Sequence, residues 1–396
     1  MAVFRQKSGR YRVTMFERGS GGISSKRISL GTFDTKKDAQ KAQAAALRKR
    51  DDGQRIGFKR RTLNAIFDEF MTSNRDGGLA GTTVFRYEQL WRSYVAERIG
   101  RNAFKDISPL DLERFYAKLL TSGGRDRKGG LPRPLSVRSV QHVHALIRSV
   151  LQWALRFELV DRNVALIAKP PKGSRKPGQA FEEHEVDRLL ETAGRYRSGH
   201  LIAFALETGL RRGEIAALKW SDIDIDRRVA MIRGSVAQIP GKTWYKSTKQ
   251  DAIKGVALSD DAVAALRSQR AQQAAERLMG GAEYRDDGFV FAPPLGGRPS
   301  PGAIGNAVRR IAKRAGLELT KLHALRHTTA TVLLRQGEDL VTVAAVLRHS
   351  SPSTTLAVYG HEVLGAQLAA VTRAADARRA RRRRASGPAE TPKTGS

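Results

Sequence analysis

A ten-residue segment at positions 169–178, KPPKGSRKPG, places the strongest limit on how this chain can fold. It contains three prolines and two glycines. Proline removes a backbone donor and clashes with the preceding helical turn, and glycine adds conformational freedom, so the segment cannot be helical. We therefore interpret residues 170–180 as an interdomain linker.

The charge of the chain narrows the class of partner. The sequence has 71 Lys and Arg against 39 Asp and Glu, a net charge of +32 over 396 residues. Such a molecule should attract a polyanion, most simply DNA or RNA. Ribosomal proteins and membrane-surface proteins share this balance, so charge alone selects a partner and not an activity. The linker should run across the DNA backbone as a tether, and three of its cations are predicted to contact that backbone: Lys172, Arg175 and Lys176.

Cysteine usage and hydropathy indicate the compartment. The chain contains no cysteine, which excludes disulfides and cysteine-ligated zinc and fits an intracellular protein. The first ten residues, MAVFRQKSGR, lack the apolar stretch of a signal peptide, and no run approaches the ~18 apolar residues of a membrane helix. We therefore expect a cytoplasmic protein without a membrane partner.

Residues 1–58 are predicted to form a small α+β domain. Alternation of apolar and polar residues indicates strands at 10–16 and 26–32, and an alanine-rich helix follows at 35–50. A charged outer sheet face is usually only solvated, and a sheet that reads DNA is the alternative. Four cations lie on or beside this sheet: Arg10, Arg12, Lys26 and Arg27.

Residues 61–169 and 181–375 are predicted to form two larger domains. The first shows the i, i+3, i+4 apolar spacing of four helices, at 62–71, 82–99, 108–120 and 136–157, and should be an all-α bundle. The second is mixed and mainly α, with helices at 182–193, 200–207 and 211–219 and a small sheet from strands at 228–233 and 252–258. Residues 376–396 are predicted to be a basic, disordered tail that adds salt-dependent DNA affinity.

Residues 322–361 contain side chains typical of phosphate chemistry. On a helix, His323 and Arg326 leave the same face one turn apart and can converge on a single anion. Tyr359 precedes Gly360 near a predicted helix end, where its hydroxyl could swing toward a phosphate. Taken alone, Tyr359 would more simply be a core tyrosine.

A second candidate phosphate site lies at 208–214, TGLRRGE. Gly209 suits a tight entry into a helix N-terminus, where free backbone N–H groups favour an anion. Arg211 is therefore placed to hold a phosphate. Glu214, one turn on, can fix the site by hydrogen bonding, although a surface ion pair is the simpler alternative.

These segments together resemble the signature of the tyrosine recombinases, the phage integrase family. The matching residues are His323-Ala-Leu-Arg326-His327, then Leu347-Arg348-His349, and Tyr359 ten residues later. The stretch TGLRRGEIAALKWSDID resembles the first arginine box of the family. Arg348 stands in place of the usual glycine, a departure that concerns the backbone beside His349.

The resemblance implies a catalytic role for six residues. Arg211 and Arg326 would clamp the scissile phosphate, and His349 would donate a further hydrogen bond to it. Tyr359 would be the nucleophile and His323 its proton acceptor. The resemblance also implies a general-acid lysine in a β-turn. Lys249 precedes the apolar Val-Ala-Leu run at 256–258 by the matching interval, with Lys242, Lys246 and Lys254 as rivals.

The resemblance further implies a three-domain integrase with an arm-binding domain, a core-binding domain and a catalytic domain. Such an enzyme would integrate a phage or mobile element through a 3′-phosphotyrosyl intermediate, without metal, ATP or other cofactor. Its partners would be double-stranded attachment sites, three further copies in a homotetramer, and a DNA-bending accessory protein, in the nucleoid of a bacterial host.

Three alternative functions remain. A type IB topoisomerase-like enzyme would use the same chemistry as a monomer without paired sites, and an architectural DNA-binding protein would carry a vestigial site. A zinc enzyme is suggested by the i, i+4 spacing of His323 and His327. However, Ala324 stands where HExxH has glutamate, and Arg326 would repel the metal.

Overall fold

A computed structural model of the chain describes residues 2–6, 8–17, 26–51, 61–124, 133–173, 179–247, 254–318, 320–348, 356, 372 and 375–381. The chain divides into two compact units, Met1–Ser174 and Arg175–Ser396. The division falls inside the proline- and glycine-rich segment at 169–178.

A three-stranded antiparallel sheet opens the first unit. Strands β1 (Ala2–Arg5), β2 (Tyr11–Glu17) and β3 (Lys26–Phe33) pair in that order, and helix α1 (Lys36–Asp51) packs against the sheet. The Thr35 hydroxyl accepts a hydrogen bond from the Asp38 N–H and so begins the helix. Strands β2 and β3 and helix α1 match the prediction. Strand β1 was not predicted, because its four residues are too short to show an alternation.

The helical part of the first unit contains the four predicted helices. They are α2 (Leu63–Asp76), α3 (Gly81–Leu90), α4 (Pro109–Ser122) and α5 (Val137–Arg156). The predicted helix 82–99 continues after α3 only as a π-helical turn, Trp91–Val95. Trp91 is buried, and its ring stacks on that of Phe67 with centroids 4.1 Å apart. A single apolar core joins these helices.

The second unit consists mainly of helices. These are α6 (Glu183–Gly194), α7 (Gly199–Thr208), α8 (Arg212–Ile215), α9 (Asp260–Gly280), α10 (Pro301–Arg314), α11 (Leu322–Arg335) and α12 (Leu340–Val346). The predicted helix 211–219 is wrong in length, since α8 is a single turn. The chain leaves the helix because Leu218 accepts a backbone hydrogen bond from Val290 and Lys219 bridges to Phe289. Tertiary pairing therefore overrides local helix propensity here.

Two small antiparallel sheets lie between α8 and α9. Strands β4 (Ile223–Asp224), β5 (Val229–Ile232) and β8 (Lys254–Ala257) form one, and β6 (Gly234–Ile239) and β7 (Lys242–Ser247) form a hairpin. The predicted pairing of the strands near 228–233 and 252–258 is confirmed by the β5–β8 register, Val229 opposite Ala257. The hairpin was not predicted, because β7 is almost wholly exposed and so lacks an apolar alternation.

A small apolar cluster fixes α12 against α11. Ala330 and Leu334 on α11 pack against Val343 and Leu347 at α12, all four buried. Asp339 caps α12 by accepting hydrogen bonds from the Val341 and Thr342 N–H groups. This packing places the end of α12 beside α11.

The described residues are thus helix-rich with three small sheets, in more than one compact unit. None of the helices in these ranges combines the length and the apolar character needed to cross a bilayer.

Candidate active site

Helix α11 carries Arg326 into the interior of the second unit. The residue is only 2% exposed. Its Nη1 donates to the Gly209 carbonyl at 2.5 Å, and its Nη2 donates to the Leu347 carbonyl. A buried guanidinium needs such partners, because an uncompensated buried charge is strongly destabilising. Arg326 therefore ties α11 to the ends of both α7 and α12, and main-chain carbonyls set the position of its guanidinium.

Gly209 has a backbone conformation that favours glycine and ends helix α7. Its φ of 57° lies in the left-handed region, and its N–H donates to the Ala205 carbonyl, so it ends α7. A Cβ atom there would lie 2.9 Å from Leu347 Cδ2. The prediction that Gly209 opens the following helix is therefore corrected: it terminates α7 and turns its carbonyl toward Arg326.

Arg211 is the N-cap residue of the short helix α8. Its backbone N–H donates to Glu214 Oε2 and its Nη1 donates to Glu214 Oε1, both at 2.9 Å. Its Nη2 donates to the Arg348 carbonyl at 3.2 Å. The Arg211 side chain remains 43% exposed. Arg211 is thus oriented by Glu214 and can still be reached by a ligand from solvent.

Two adjacent carbonyls bring the two arginines together. Arg326 donates to the carbonyl of Leu347, and Arg211 donates to that of the next residue, Arg348. Consecutive carbonyls lie within one residue length of each other, so the guanidiniums must converge at the end of α12. The residue that follows in the sequence is His349.

His323 lies one turn before Arg326 on α11, where solvent reaches part of its side chain. Partial burial of the ring, followed by the charges of Arg326 and Arg211, lowers the pKa of His323 below 6.5. His323 and Arg326 are three residues apart on α11, so their side chains leave the same face of the helix one turn apart. Burial and the nearby charges of His323 and Arg326 lower the pKa of His327 further, to about 4. Both imidazoles are therefore neutral at pH 7, and a neutral imidazole can accept a proton.

Arg348 takes the backbone conformation that glycine adopts most readily. Its φ is 54°, in the left-handed region. Its side chain turns inward, where Nη2 donates to Glu214 Oε2 and Nη1 to the Val346 carbonyl, both at 2.9 Å. We did not predict this contact. The only signal in the sequence was an arginine at a position where the resembling pattern has glycine.

Three predicted catalytic residues lie outside the described residues: Lys249, His349 and Tyr359. Lys249 belongs to the segment between β7 and β8. The rivals Lys242 and Lys246 are on β7, and Lys254 is on β8, all three exposed. Arg211, Glu214 and Arg326 thus lie together at the end of α12, and His323 lies one turn from Arg326 on α11. The catalytic roles of these residues, like those of Lys249, His349 and Tyr359, stay predictions.

Three of the predicted DNA contacts, Arg10, Arg12 and Lys172, have described side chains, and all three are exposed. Arg10 forms an ion pair with Asp34 and remains 60% exposed, and Arg12 is exposed with its Nε donating to Ser29. Lys26 and Arg27 are on β3, in register with Glu17 and Phe16 of β2. Lys172 is exposed, and Arg175 and Lys176 lie outside the described residues. Arg10, Arg12 and Lys172 are accessible to a polyanion.

Two histidines of α11 lie close together. The rings of His323 and His327 are 4.6 Å apart and T-shaped. Within the described ranges, no three His, Cys, Asp or Glu side chains are grouped so that they could hold a metal ion. Arg326 between the two histidines adds a positive charge that disfavours a cation there.

Comparison with known sequences identifies relatives along most of the chain. The profile of the phage integrase family matches residues 179–363. Tyrosine recombinase XerC of Xanthomonas axonopodis pv. citri is 30% identical over 234 residues, covering 58% of this chain and 69% of the relative. An integrase of Streptomyces ambofaciens is 25% identical over 359 residues, covering 86% of this chain and 87% of the relative.

A solved structure shares the fold. The Tn1549 transposon integrase, solved in complex with transposon right-end DNA, superposes with a TM-score of 0.65 at 18% identity. The match covers 80% of this chain and all of that one.

The sequence relatives identify an enzyme that breaks and rejoins DNA strands. The chain belongs to the tyrosine recombinase family, the phage integrase family, and it is a tyrosine-type site-specific DNA recombinase.

Proposed function

We propose that Tyr359 attacks a scissile phosphate held by Arg211 and Arg326, and that the product is a 3′-phosphotyrosyl link. A phosphodiester resists attack because its charge repels nucleophiles and its alkoxide is a poor leaving group. Two guanidiniums can bind its non-bridging oxygens bidentately, and His349 donates another hydrogen bond. The observation that supports this most is that Arg211 and Arg326 are anchored on consecutive carbonyls immediately before His349.

Proton transfer completes the proposed reaction. A tyrosine hydroxyl of pKa about 10 needs a proton acceptor near neutral pH, and we assign this role to His323. Lys249 donates a proton to the departing 5′-oxygen. The phosphotyrosyl bond retains the energy of the original linkage, so the 5′-hydroxyl of another strand can reverse the step without ATP or metal.

The proposed division of labour follows the order of the chain. Residues 1–58 bind arm-type DNA sites, residues 61–169 bind the core site, and residues 181–375 carry out catalysis, joined by the linker at 170–180. Residues 376–396 supply basic, sequence-independent DNA affinity. The physiological reaction is integration of a phage or mobile element by a homotetramer on paired attachment sites, with a DNA-bending accessory protein, in the bacterial cytoplasm.

Capture of the covalent intermediate tests the proposal. The protein is incubated with a pool of randomised duplexes, each carrying a nick so that the short 5′-hydroxyl fragment diffuses away after cleavage. We expect an SDS-stable protein–DNA adduct that survives EDTA, and sequencing of the captured DNA gives a core duplex. Tight binding without an adduct would support the architectural alternative, and loss of the adduct in EDTA would support the zinc alternative.

Plasmid relaxation distinguishes a site-specific recombinase from the topoisomerase-like alternative. We expect little relaxation of a supercoiled plasmid that lacks the captured core sequence. Efficient relaxation of such a plasmid by a monomer would favour the topoisomerase-like activity.

The proposed role of His323 predicts a pH dependence. Only the neutral imidazole accepts a proton, and the lowered pKa of His323 keeps it neutral at pH 7. The initial rate of adduct formation should therefore be insensitive to pH just above 6.5 and fall on acidification, with a midpoint below 6.5. Rates measured between about pH 3 and 7.5 on the captured duplex give the profile.

Two variants identify the titrating group. In His323→Gln, the fall in rate on acidification, the acidic limb of the pH profile, should disappear. His184→Gln, which changes an exposed histidine at the start of α6, should keep this limb. A midpoint near 4 would assign the limb to His327, whose pKa is about 4. A limb that persists unchanged in His323→Gln would contradict the proton-acceptor role.

The proposed role of the first domain predicts separable activities. Deletion of residues 1–58 should leave cleavage of the captured core duplex intact while recombination between full attachment sites fails. The paired substitution Arg10→Ala/Arg12→Ala should weaken binding to arm DNA, and the exposed Arg195→Ala of the second unit is the matched control. Loss of core cleavage on deletion would refute the arm-domain assignment.

A further inference from the structure

The Arg348 side chain lies among the groups that hold Arg211. It is buried, at 7% exposure, and it shares the Glu214 carboxylate with Arg211. We propose that Arg348 is a positioning residue that neutralises Glu214, so that the charge of Arg211 is available to the scissile phosphate. This inference rests on the proposed role of Arg211 as a phosphate ligand.

The hydrogen bonds define how Arg348 acts through Glu214. Glu214 Oε2 accepts from Arg348 Nη2 and from the Arg211 N–H, whereas Oε1 accepts from Arg211 Nη1. The Arg348 carbonyl in turn accepts from Arg211 Nη2. Arg348 therefore holds Arg211 in two ways. The Arg348 carbonyl binds the Arg211 guanidinium directly, and the Arg348 guanidinium binds the Glu214 carboxylate, which in turn binds Arg211.

Charge explains why a second cation is needed. Glu214 is largely buried, with its side chain 12% exposed, and an ionised carboxylate beside Arg211 would leave that pair with no net charge. Burial alone would raise the pKa of Glu214, but the charge of Arg348 and the hydrogen bonds and charge of Arg211 outweigh burial and lower it. Glu214 is therefore ionised at neutral pH. With Arg348 present, the three side chains carry a net charge of about +1.

The backbone supports a specific role for this side chain. Arg348 adopts a φ of 54°, which non-glycine residues rarely do. Its Nε is buried and has no hydrogen-bond partner among the described residues. A left-handed backbone and an unpartnered buried donor are both unfavourable, so glycine would be the less strained residue here. The ion pair with Glu214 is the compensating contact that the structure provides.

Arg348→Met tests the proposal, because methionine retains bulk without charge. We expect the rate of adduct formation on the captured core duplex to fall about 10- to 100-fold, since one unit of charge is lost close to the phosphate. Arg228→Met is the matched control. Arg228 also has a positive φ, 53°, and also pairs with a carboxylate, that of Asp260, but it is exposed and outside the site. Its rate should equal that of the unaltered protein.

Three further measurements distinguish the loss of charge from a structural defect. On a duplex with an uncharged methylphosphonate at the scissile position, the deficit of Arg348→Met should shrink to within about threefold, because the substrate charge that Arg348 serves is gone. Arg348→Met/Glu214→Gln should react faster than Arg348→Met alone, because the uncompensated carboxylate has been removed. Arg348→Lys should recover part of the rate through its charge.

Other results would contradict the proposed role of Arg348. Any of three results would overturn the inference while leaving the proposed function intact. Arg348→Met could react as fast as the unaltered protein, or its loss of rate could be equal on the phosphodiester and methylphosphonate duplexes. The third such result is a double variant that reacts no faster than Arg348→Met alone. If Arg348→Met fails to fold, Arg348→Gly, which relieves the left-handed backbone, replaces it under the same criteria. Absence of any adduct with the unaltered protein would instead refute the proposed function itself, and this inference with it.

Discussion

Tyr359→Phe should abolish formation of the covalent protein–DNA adduct while leaving DNA affinity unchanged. Phenylalanine removes only the hydroxyl, so the shape of the side chain and the net charge of the protein are retained. Without a nucleophile the covalent step has no route, and loss of a nucleophile typically costs about 10⁴-fold or more in rate. Adduct yield on the captured nicked duplex, measured beside affinity in a gel-shift titration, checks the prediction.

The control for Tyr359→Phe is a second tyrosine of the same domain. Tyr284 lies after helix α9, where the Arg277 guanidinium stacks over its ring. Tyr284→Phe should form the adduct at the rate of the unaltered protein. An adduct that persists in Tyr359→Phe would mean that another residue attacks the phosphate, and mapping of the DNA-linked peptide would then identify it. Lost affinity in Tyr359→Phe would indicate a structural role for the hydroxyl.

Arg326→Ala should be both inactive and unstable, whereas Arg211→Ala should be inactive only. Each substitution removes one proposed phosphate ligand, which typically costs about 10²–10³ in rate. Arg326 is also buried and satisfies the carbonyls of Gly209 and Leu347, so its removal should lower the free energy of unfolding by about 2–4 kcal/mol. Arg211 is 43% exposed, and its loss should change stability by less than about 1 kcal/mol.

Paired measurements distinguish the two arginines. Urea unfolding gives the stability of each variant, and adduct formation on the captured duplex gives its rate. Arg326→Lys keeps the charge but cannot reach both carbonyls and a phosphate, so it should remain slow and unstable. Equal stability losses for Arg326→Ala and Arg211→Ala would contradict the structural role of Arg326. A normal rate in either alanine variant would contradict its role as a phosphate ligand.

The helices show how far local pattern predicts this fold. The predicted helix at 136–157 is observed as α5, Val137–Arg156, because its apolar residues repeat at helical spacing over five turns and Ser136 caps it. The predicted helix at 211–219 instead ends after one turn, because residues 218–220 pair with residues 288–290. That pairing partner is some seventy residues away, and no local window contains it.

The β6–β7 hairpin shows a different limit. An exposed strand has no buried face, so its residues need not alternate, and periodicity cannot reveal it. The β5–β8 pair was predictable because each strand has a buried apolar residue, Ala230 and Val256, in register.

The sequence by itself determined the chemistry of this protein: the residue types, the one-turn spacing of His323 and Arg326, and the family to which those motifs belong. The tertiary structure decided where the charges meet. Arg326 reaches a carbonyl 117 residues away and Arg211 one 137 residues away, and both contacts depend on the left-handed turn at Gly209 and the packing of α12 on α11. The inward turn of Arg348 also appears only in the structure, because its ion pair with Glu214 joins residues that are 134 positions apart. Contacts at such separations depend on the packing of the whole domain, which no local pattern of residues encodes.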